Sequence, residues 1–246
     1  MNETLKLFDN HRTIRFFKER KVEKEKLEAL MEAFRRSPNS MGLQESTIIR
    51  IRDQKLKDAL AAIGEQDYIA RVPELMVFVA DNYRNYRIAM ENGCHEDPPT
   101  IEMLIQGLTD SIIGAQSVNI AAESMGLGVV YLGSILKGTD KLIDLLKLPK
   151  YTLPVVGMGI GYPDDDPQLK PRMDIEKRCF ENRYEIFDNY GKLLKDYDAQ
   201  MLNYYDTRDK GRRSESFTGH ATKLYDLLTK VDSKAVDILK RQGYKI

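Results

Sequence analysis

Cysteine is nearly absent from this chain of 246 residues. Cys94 and Cys179 are too few and too far apart for a disulfide framework or a zinc cluster. Histidine is as scarce: His11, His95 and His220 are scattered, and the adjacent Cys94 and His95 read as an exposed loop pair. An excess of either charge is missing too, since Lys plus Arg and Asp plus Glu number 38 each. That balance leaves no overall field to attract nucleic acid or an acidic membrane, so any anion site must be local. No stretch reaches the roughly 20 apolar residues that span a bilayer. The opening residues include Glu3, Lys6 and Asp9 with no apolar run, so no signal peptide is expected and the cytoplasm is the expected compartment. Common catalytic signatures are lacking as well: there is no Gly-x-Ser-x-Gly elbow and no glycine-rich loop ending in Lys-Ser/Thr. The Met125-Gly126-Leu127-Gly128 stretch follows a helix and precedes a strand, the reverse of the order a dinucleotide-binding fingerprint requires.

What is there has an ordinary globular composition, 42% hydrophobic and 31% charged, in a chain long enough to bury a substantial core. Leu5, Leu7 and Phe8 mark a short amphipathic helix over residues 2–10. Leu27, Leu30, Met31 and Phe34 repeat at helical spacing, and Pro38 ends that helix near Ser37. Residues 37–44 form a polar, turn-rich loop that presents hydroxyls and amides. Residues 46–51 read as a strand, 53–63 as a helix with Leu56, Leu60 and Ile63 inward, and the apolar run 75–80 as a buried central strand. Residues 81–100 read as a mostly helical excursion with a mobile loop. The longest element is a helix from about Thr100 to Met125, whose stripe runs Ile101, Leu104, Ile105, Leu108, Ile112, Ala115, Val118, Ala122 and Met125. Its small residues, including Gly107 and Gly114, allow close packing within a subunit or between two.

A strand over 129–134, a helix over 139–147 and a strand over 154–161 follow. In the last of these Gly157, Gly159 and Gly161 alternate: either something large packs against the backbone, or the glycines accommodate a helix. Beyond Tyr162 come an acidic turn at 164–166, an extended segment at 169–172 and an arm over 173–189. That arm carries Phe180, Tyr184 and Phe187, with Tyr190 just beyond it, and suits the wrapping of a partner. A helix over 192–205 and a final helix over about 219–242 complete the chain. The expectation is a single domain over 1–246 with a C-terminal extension from about residue 163.

Three basic groups stand out. In His11-Arg12-Thr13-Ile14-Arg15, two arginines three apart on a helix or tight turn can reach one anion, with a hydroxyl between them. Lys170-Pro171-Arg172 holds two cations on one face of an extended segment. Arg208, Lys210, Arg212 and Arg213 cluster near a glycine, either as a charged loop or as a site for a phosphate-rich ligand.

These groups carry a resemblance. His11-Arg12-Thr13-Ile14-Arg15 resembles the His-Arg-Ser-Ile-Arg opening of the NADPH-dependent, oxygen-insensitive group of the nitroreductase family. Leu43-Gln44 with Ser46-Thr47-Ile48-Ile49 is similar to that group's first strand. Ala121-Ala122-Glu123-Ser124-Met125-Gly126-Leu127-Gly128 through Tyr131-Leu132-Gly133 resembles its central helix and next strand. Leu169-Lys170-Pro171-Arg172 resembles its second phosphate-binding segment, and Asn203-Tyr204-Tyr205 through Arg212-Arg213 its C-terminal loop.

The resemblance implies an α+β sandwich with a mostly antiparallel sheet flanked by helices, a C-terminal extension wrapping the partner subunit, and an obligate homodimer with FMN in the interface. It implies that His11, Arg12, Thr13, Lys170 and Arg172 surround the FMN phosphate and ribityl chain, and that Arg15 sits by flavin N1 and O2. Tyr131 and the backbone of Leu132, Gly133 and Ser134 would line the ring near N5 and O4, and Gln66 would bond its edge. Asn39, Ser40 and Met41 would come from the partner. Arg208, with Arg212 or Arg213, would hold the 2′-phosphate of NADPH.

The implied activity is ping-pong transfer of two electrons from NADPH or NADH to a flat acceptor such as a nitroaromatic or a quinone. Reduction of free flavin for a partner enzyme is the alternative within the fold, and a dehalogenase or desaturase relative is a third. From another class comes a non-catalytic nucleic-acid module using residues 208–213, which overall neutrality opposes. The chain departs from the group at Ser37-Pro38-Asn39-Ser40-Met41, at Gly133-Ser134-Ile135-Leu136 and at Phe217, which bear on substrate range and NADPH preference.

Overall fold

Four antiparallel strands form one sheet in the order β1-β2-β4-β3: β1 (Ser46–Ile51), β2 (Glu74–Asp81), β3 (Gly128–Leu132) and β4 (Thr152–Gly161). The computed structural model describes residues 2–94, 96–208, 215–231 and 233–246, the last three residues before 209 by backbone alone. Strand β2 is apolar on both faces because the sheet has a core on each side. Leu75, Val77 and Val79 join one core with Leu60, Ile69 and Leu142, while Met76 and Phe78 join the other with Leu30, Val118 and Ile160.

Helices cover both faces. α1 (Glu3–Asn10), α2 (Lys24–Arg35), α3 (Gln54–Gly64), α4 (Tyr83–Glu91), α5 (Ile101–Ser124) and α6 (Thr139–Leu145) match the expected elements within a few residues. The strand expected over 129–134 stops at Leu132 and turns into a 3-10 stretch, Gly133–Gly138. α5 differs from its expected stripe. Ile105 and Ile112 are 55% and 57% exposed, whereas polar Asp110, Ser111 and Asn119 are buried. The close approach is made by its glycines: a Cβ on Gly114 would stand 2.6 Å from the Phe34 ring of α2. The glycines of β4 find an answer of the same kind. Side chains of Ile135, Val72, Pro73 and Phe17 crowd Gly157, Gly159 and Gly161, so the large neighbour is this chain's own core.

The final helix expected over 219–242 is two helices. With α7 (Tyr190–Leu193) and α8 (Lys195–Arg208) preceding, α9 is Phe217–Thr229 and α10 is Ala235–Arg241. One apolar period had joined elements of different compact units: Gln168–Ser233 cluster as one unit, and α10 returns to the other. There Leu239 and Tyr244 pack with Ile101 and Leu104, and Tyr244 donates to buried Asn82 at 2.9 Å. In the 168–233 unit the rings of Phe180, Tyr184, Phe187 and Tyr190 pair at 5.3–5.9 Å. Met201, Tyr204 and Tyr205 bury against Tyr197 and Phe217.

One polar cluster anchors the chain beyond β4. Tyr162 donates to Glu23 at 2.6 Å, Arg20 bonds the same carboxylate at 2.6 Å, and the Arg20 guanidinium lies 4.0 Å over the Tyr162 ring. Tyr162, the backbone at Glu23 and Arg20 together pull the Glu23 carboxyl down to about 2. A depressed carboxylate stabilises the fold above its unfolded value and loses that contribution as it protonates. The thermal midpoint gap between wild type and Glu23→Gln is therefore expected to be largest above pH about 4.5 and to close toward pH about 2, measured by circular dichroism melts across that window.

Candidate active site

The segment from His11 to Phe17 is neither helix nor tight turn. It runs extended along the outer edge of β3, where Ile14 N–H donates to Val129 O at 2.9 Å and Thr13 bridges Val129 in parallel. The reason is local: α1 ends at Asn10, and Ile14 drops its buried side chain onto Gly128, whose missing Cβ would stand 2.7 Å from Ile14 Cγ1. Phe17 then bridges Pro163, and Asp164 N–H donates to Phe16 O at 3.0 Å.

Extension corrects the picture of two arginines gripping one anion, because residues three apart on an extended chain face opposite sides. Arg15 lines a cleft of about 520 Å³ with Phe17, Lys57, Tyr68, Arg71 and Asp164. Arg12 instead lines a hollow of about 260 Å³ with Glu123, Asp165 and Asp166. Its Nε is buried without a hydrogen-bond partner, the nearest carboxylate being Asp166 at 3.5 Å. At the floor of the larger cleft the buried Lys57 donates to the carbonyls of Val72 at 2.7 Å and Pro73 at 3.1 Å. Desolvation lowers its pKa against the pull of Glu74. His11 Nδ1 meets Glu123 Oε1 at 2.6 Å.

The far end of β3 gathers a second group. Gln66 and Ser134, 68 residues apart, bond directly: Ser134 Oγ donates to Gln66 Oε1 at 2.8 Å, and Tyr68 OH donates to the same oxygen at 3.0 Å. With its carbonyl engaged twice, the Gln66 amide keeps its NH₂ as the group able to donate outward. Gly64 lets this happen, since a Cβ there would lie 2.9 Å from Ser134 Oγ. A Cβ on Gly133 would meet nothing within 4 Å. Tyr131 stands beside it on the strand and donates to Gln116 of α5 at 2.9 Å. Its hydroxyl resists ionisation, through burial first and the Glu123 charge second.

The loop at Asn39, Ser40 and Met41 is pinned from below. Asp110 of α5, buried, accepts the Ser40 N–H and the Glu45 N–H, each at 2.9 Å. Met41, at φ 51°, is 75% exposed. Sequence reasoning missed Asp110, Glu123 and Tyr68. Asp110 and Glu123 each leave one signal in the sequence, a carboxylate between apolar positions of the α5 stripe.

In the 168–233 unit, Lys170 and Arg172 are exposed, and Arg172 turns back to donate to the Lys170 carbonyl at 2.9 Å. Arg208 closes α8; its side chain, and Arg212 and Arg213 entirely, lie outside the described residues.

Residues 9–162 match the nitroreductase family, and residues 170–246 match its C-terminal domain. The chain belongs to the nitroreductase family. Among this nitroreductase's relatives is an oxygen-insensitive NADPH nitroreductase from Salmonella typhimurium, 36% identical over 99% of both chains. Another is an NADPH-dependent FMN reductase from Bacillus subtilis, 33% identical over 89% of both. Of solved structures, the NfrA1 nitroreductase of B. subtilis superposes with a TM-score of 0.90 at 30% identity, over 98% of this chain and 99% of that one. The NADPH:FMN oxidoreductase of Vibrio harveyi, solved with NAD+, gives 0.87 at 29% identity, over 99% of each.

Seating of the nitroreductase's N-terminal segment depends on one missing methyl group. Gly128→Ala is expected to cost about 1–3 kcal/mol in urea unfolding, as overpacking does. A second change, Ile14→Ala, should restore part of that loss by removing the opposing side chain.

Proposed function

We propose that this nitroreductase-family chain is an NADPH-dependent FMN oxidoreductase that reduces flat acceptors such as nitroaromatics and quinones, with free flavin as a further acceptor. One observation carries the reading: a single edge strand gathers donors from three distant stretches. His11–Arg15 pairs at Val129, and Gln66 bonds Ser134 just past Leu132. Four residues of strand, about 13 Å at an extended rise, separate the two groups. A cationic, hydroxyl-bearing segment at one end and an amide beside an open glycine backbone at the other suit a cofactor with an anionic tail and a polar-edged ring.

The residues present fit FMN. Gly133 keeps the backbone open to a close neighbour, and the Gln66 amide has a donor to spare. When bound, FMN supplies the two-electron relay between NAD(P)H and the acceptor. His11, Thr13 and Arg15 share one face of the extended segment and would hold the cofactor's tail and the N1–O2 side of its ring, Arg12 contributing through its main chain. A fixed guanidinium at Arg15 stabilises negative charge developing on that side. Tyr131, Leu132, Gly133 and Ser134 would line the ring edge with Gln66. That Lys170 and Arg172 join the phosphate set, and that the whole chain works as one functional domain, is carried in this proposal by the resemblance alone.

The working form is a homodimer in this proposal. Met41 and Leu43 in and after the loop that Asp110 pins, and Ile105 and Ile112 on α5, are exposed apolar side chains suited to burial against a second copy. Asn39, Ser40 and Met41 would then serve the partner's flavin. Free cysteines at Cys94 and Cys179, both exposed, suit the reducing cytoplasm. Among the described residues no helix is long and apolar enough to cross a membrane.

Protein purified under native conditions is expected to be yellow and to oxidise NADPH when a nitroaromatic is added. Colourless protein that takes up no added FMN would end this reading. Arg208 and its neighbours Arg212 and Arg213 are assigned to the NADPH 2′-phosphate. Arg208→Ala should raise KM for NADPH by about tenfold, the weight of a charge-assisted hydrogen bond, and leave KM for NADH nearly unchanged. Equal effects on both dinucleotides would remove that assignment.

A further inference from the structure

We propose that Glu123 is a positioning residue for the cofactor, holding His11 so that the imidazolium donates from Nε2 to the FMN phosphate. The proposal rests on the flavoenzyme reading above. Its geometric basis is the 2.6 Å contact between His11 Nδ1 and Glu123 Oε1, joining residues 112 apart, with the carboxylate only 15% exposed. A carboxylate can only accept, so Nδ1 carries the hydrogen in either charge state of the ring. No other bond to the ring is formed among the described residues, which leaves Nε2 for a ligand.

Nε2 can donate to an anion only when the ring is doubly protonated. Glu123 supplies the negative charge that such a ring needs on one side, and a phosphate supplies it on the other. The groups around this pair reinforce the division of labour. Tyr131, from β3, feels the Glu123 charge but gives its hydroxyl hydrogen to Gln116. Arg12, the neighbouring cation, lies closer to Asp166, and Asp165 lines the same hollow. Lys26 donates to the Met125 carbonyl. Glu123 is thus the carboxylate that His11 engages, and α5 is the rigid element that carries it.

The alternative is that the pair merely ties the N-terminal segment to α5. Comparing FMN with riboflavin, which lacks the phosphate, separates the two at neutral pH. Fluorescence titration of apoprotein should show Glu123→Ala weakening FMN about tenfold while riboflavin changes less than about twofold. His11→Ala should do the same, and the double variant should be no worse than either alone, since the two act as one unit. Glu123→Gln, which keeps an acceptor oxygen without the charge, should fall between wild type and Glu123→Ala.

Loss of FMN and riboflavin affinity in equal measure, or additive effects in the double variant, would overturn the proposal. Should Glu123→Ala fail to fold, the ¹⁵N signals of His11 in wild-type protein decide, with His11→Ala giving the assignment. Both ring nitrogens should be protonated with FMN and only Nδ1 with riboflavin; identical spectra with the two ligands would overturn the proposal. Wild-type protein that binds neither flavin would instead defeat the flavoenzyme reading itself.

Discussion

Ile14 lies on Gly128, and much of the site follows from that contact. A strand with an unpaired edge needs cover, and the N-terminal segment provides it by parallel pairing at Val129. Only a residue without a Cβ lets the isoleucine come close enough for the backbone bond from Ile14 to Val129 to form. Once the segment is extended there, its alternation is set. Ile14 is buried, His11 meets Glu123, and Arg12 and Arg15 part company into different hollows.

The same strand organises its other end by different means. β3 stops at Leu132, and the following 3-10 stretch brings Ser134 within reach of Gln66, which leaves α3 through a left-handed Glu65. The donors at the two ends are displayed on a scaffold whose strand β2 is apolar toward both cores, while β4 gives Met158 and Ile160 to one core and glycines to the side chains on its other face. Rigidity comes from that double burial, and the polar groups occupy the strand ends where the cores stop.

Charge balance across the chain conceals a local separation. The cleft of Arg15 is mixed but richer in cations, with Lys57 and Arg71 beside Glu19, Glu74 and Asp164, whereas Glu123, Asp165 and Asp166 line the hollow of Arg12 and Asp165 also feels the Arg15 charge. A neutral chain can in this way present an anion site without drawing polyanions to its whole surface. α5 joins in twice, through Asp110 beneath the exposed loop and Glu123 beside His11.

The amino-acid sequence by itself determined the elements and the family. Strand β2 was readable from six consecutive apolar residues, α5 from its period, and the site from short motifs in a fixed order along the chain. It misjudged what depends on distant partners. The spacing within His11–Phe17 allows a helix or a tight turn, and only pairing with Val129 makes the segment extended. One apolar period hid the break between α9 and α10, because periodicity records which residues want burial and not against which unit. The period of α5 says nothing of Asp110, whose role comes from two backbone N–H groups that only the tertiary structure places over it. Residue type and spacing carry local preference; which groups meet across 68 or 112 residues is decided by packing, and that is where Gln66 found Ser134 and His11 found Glu123.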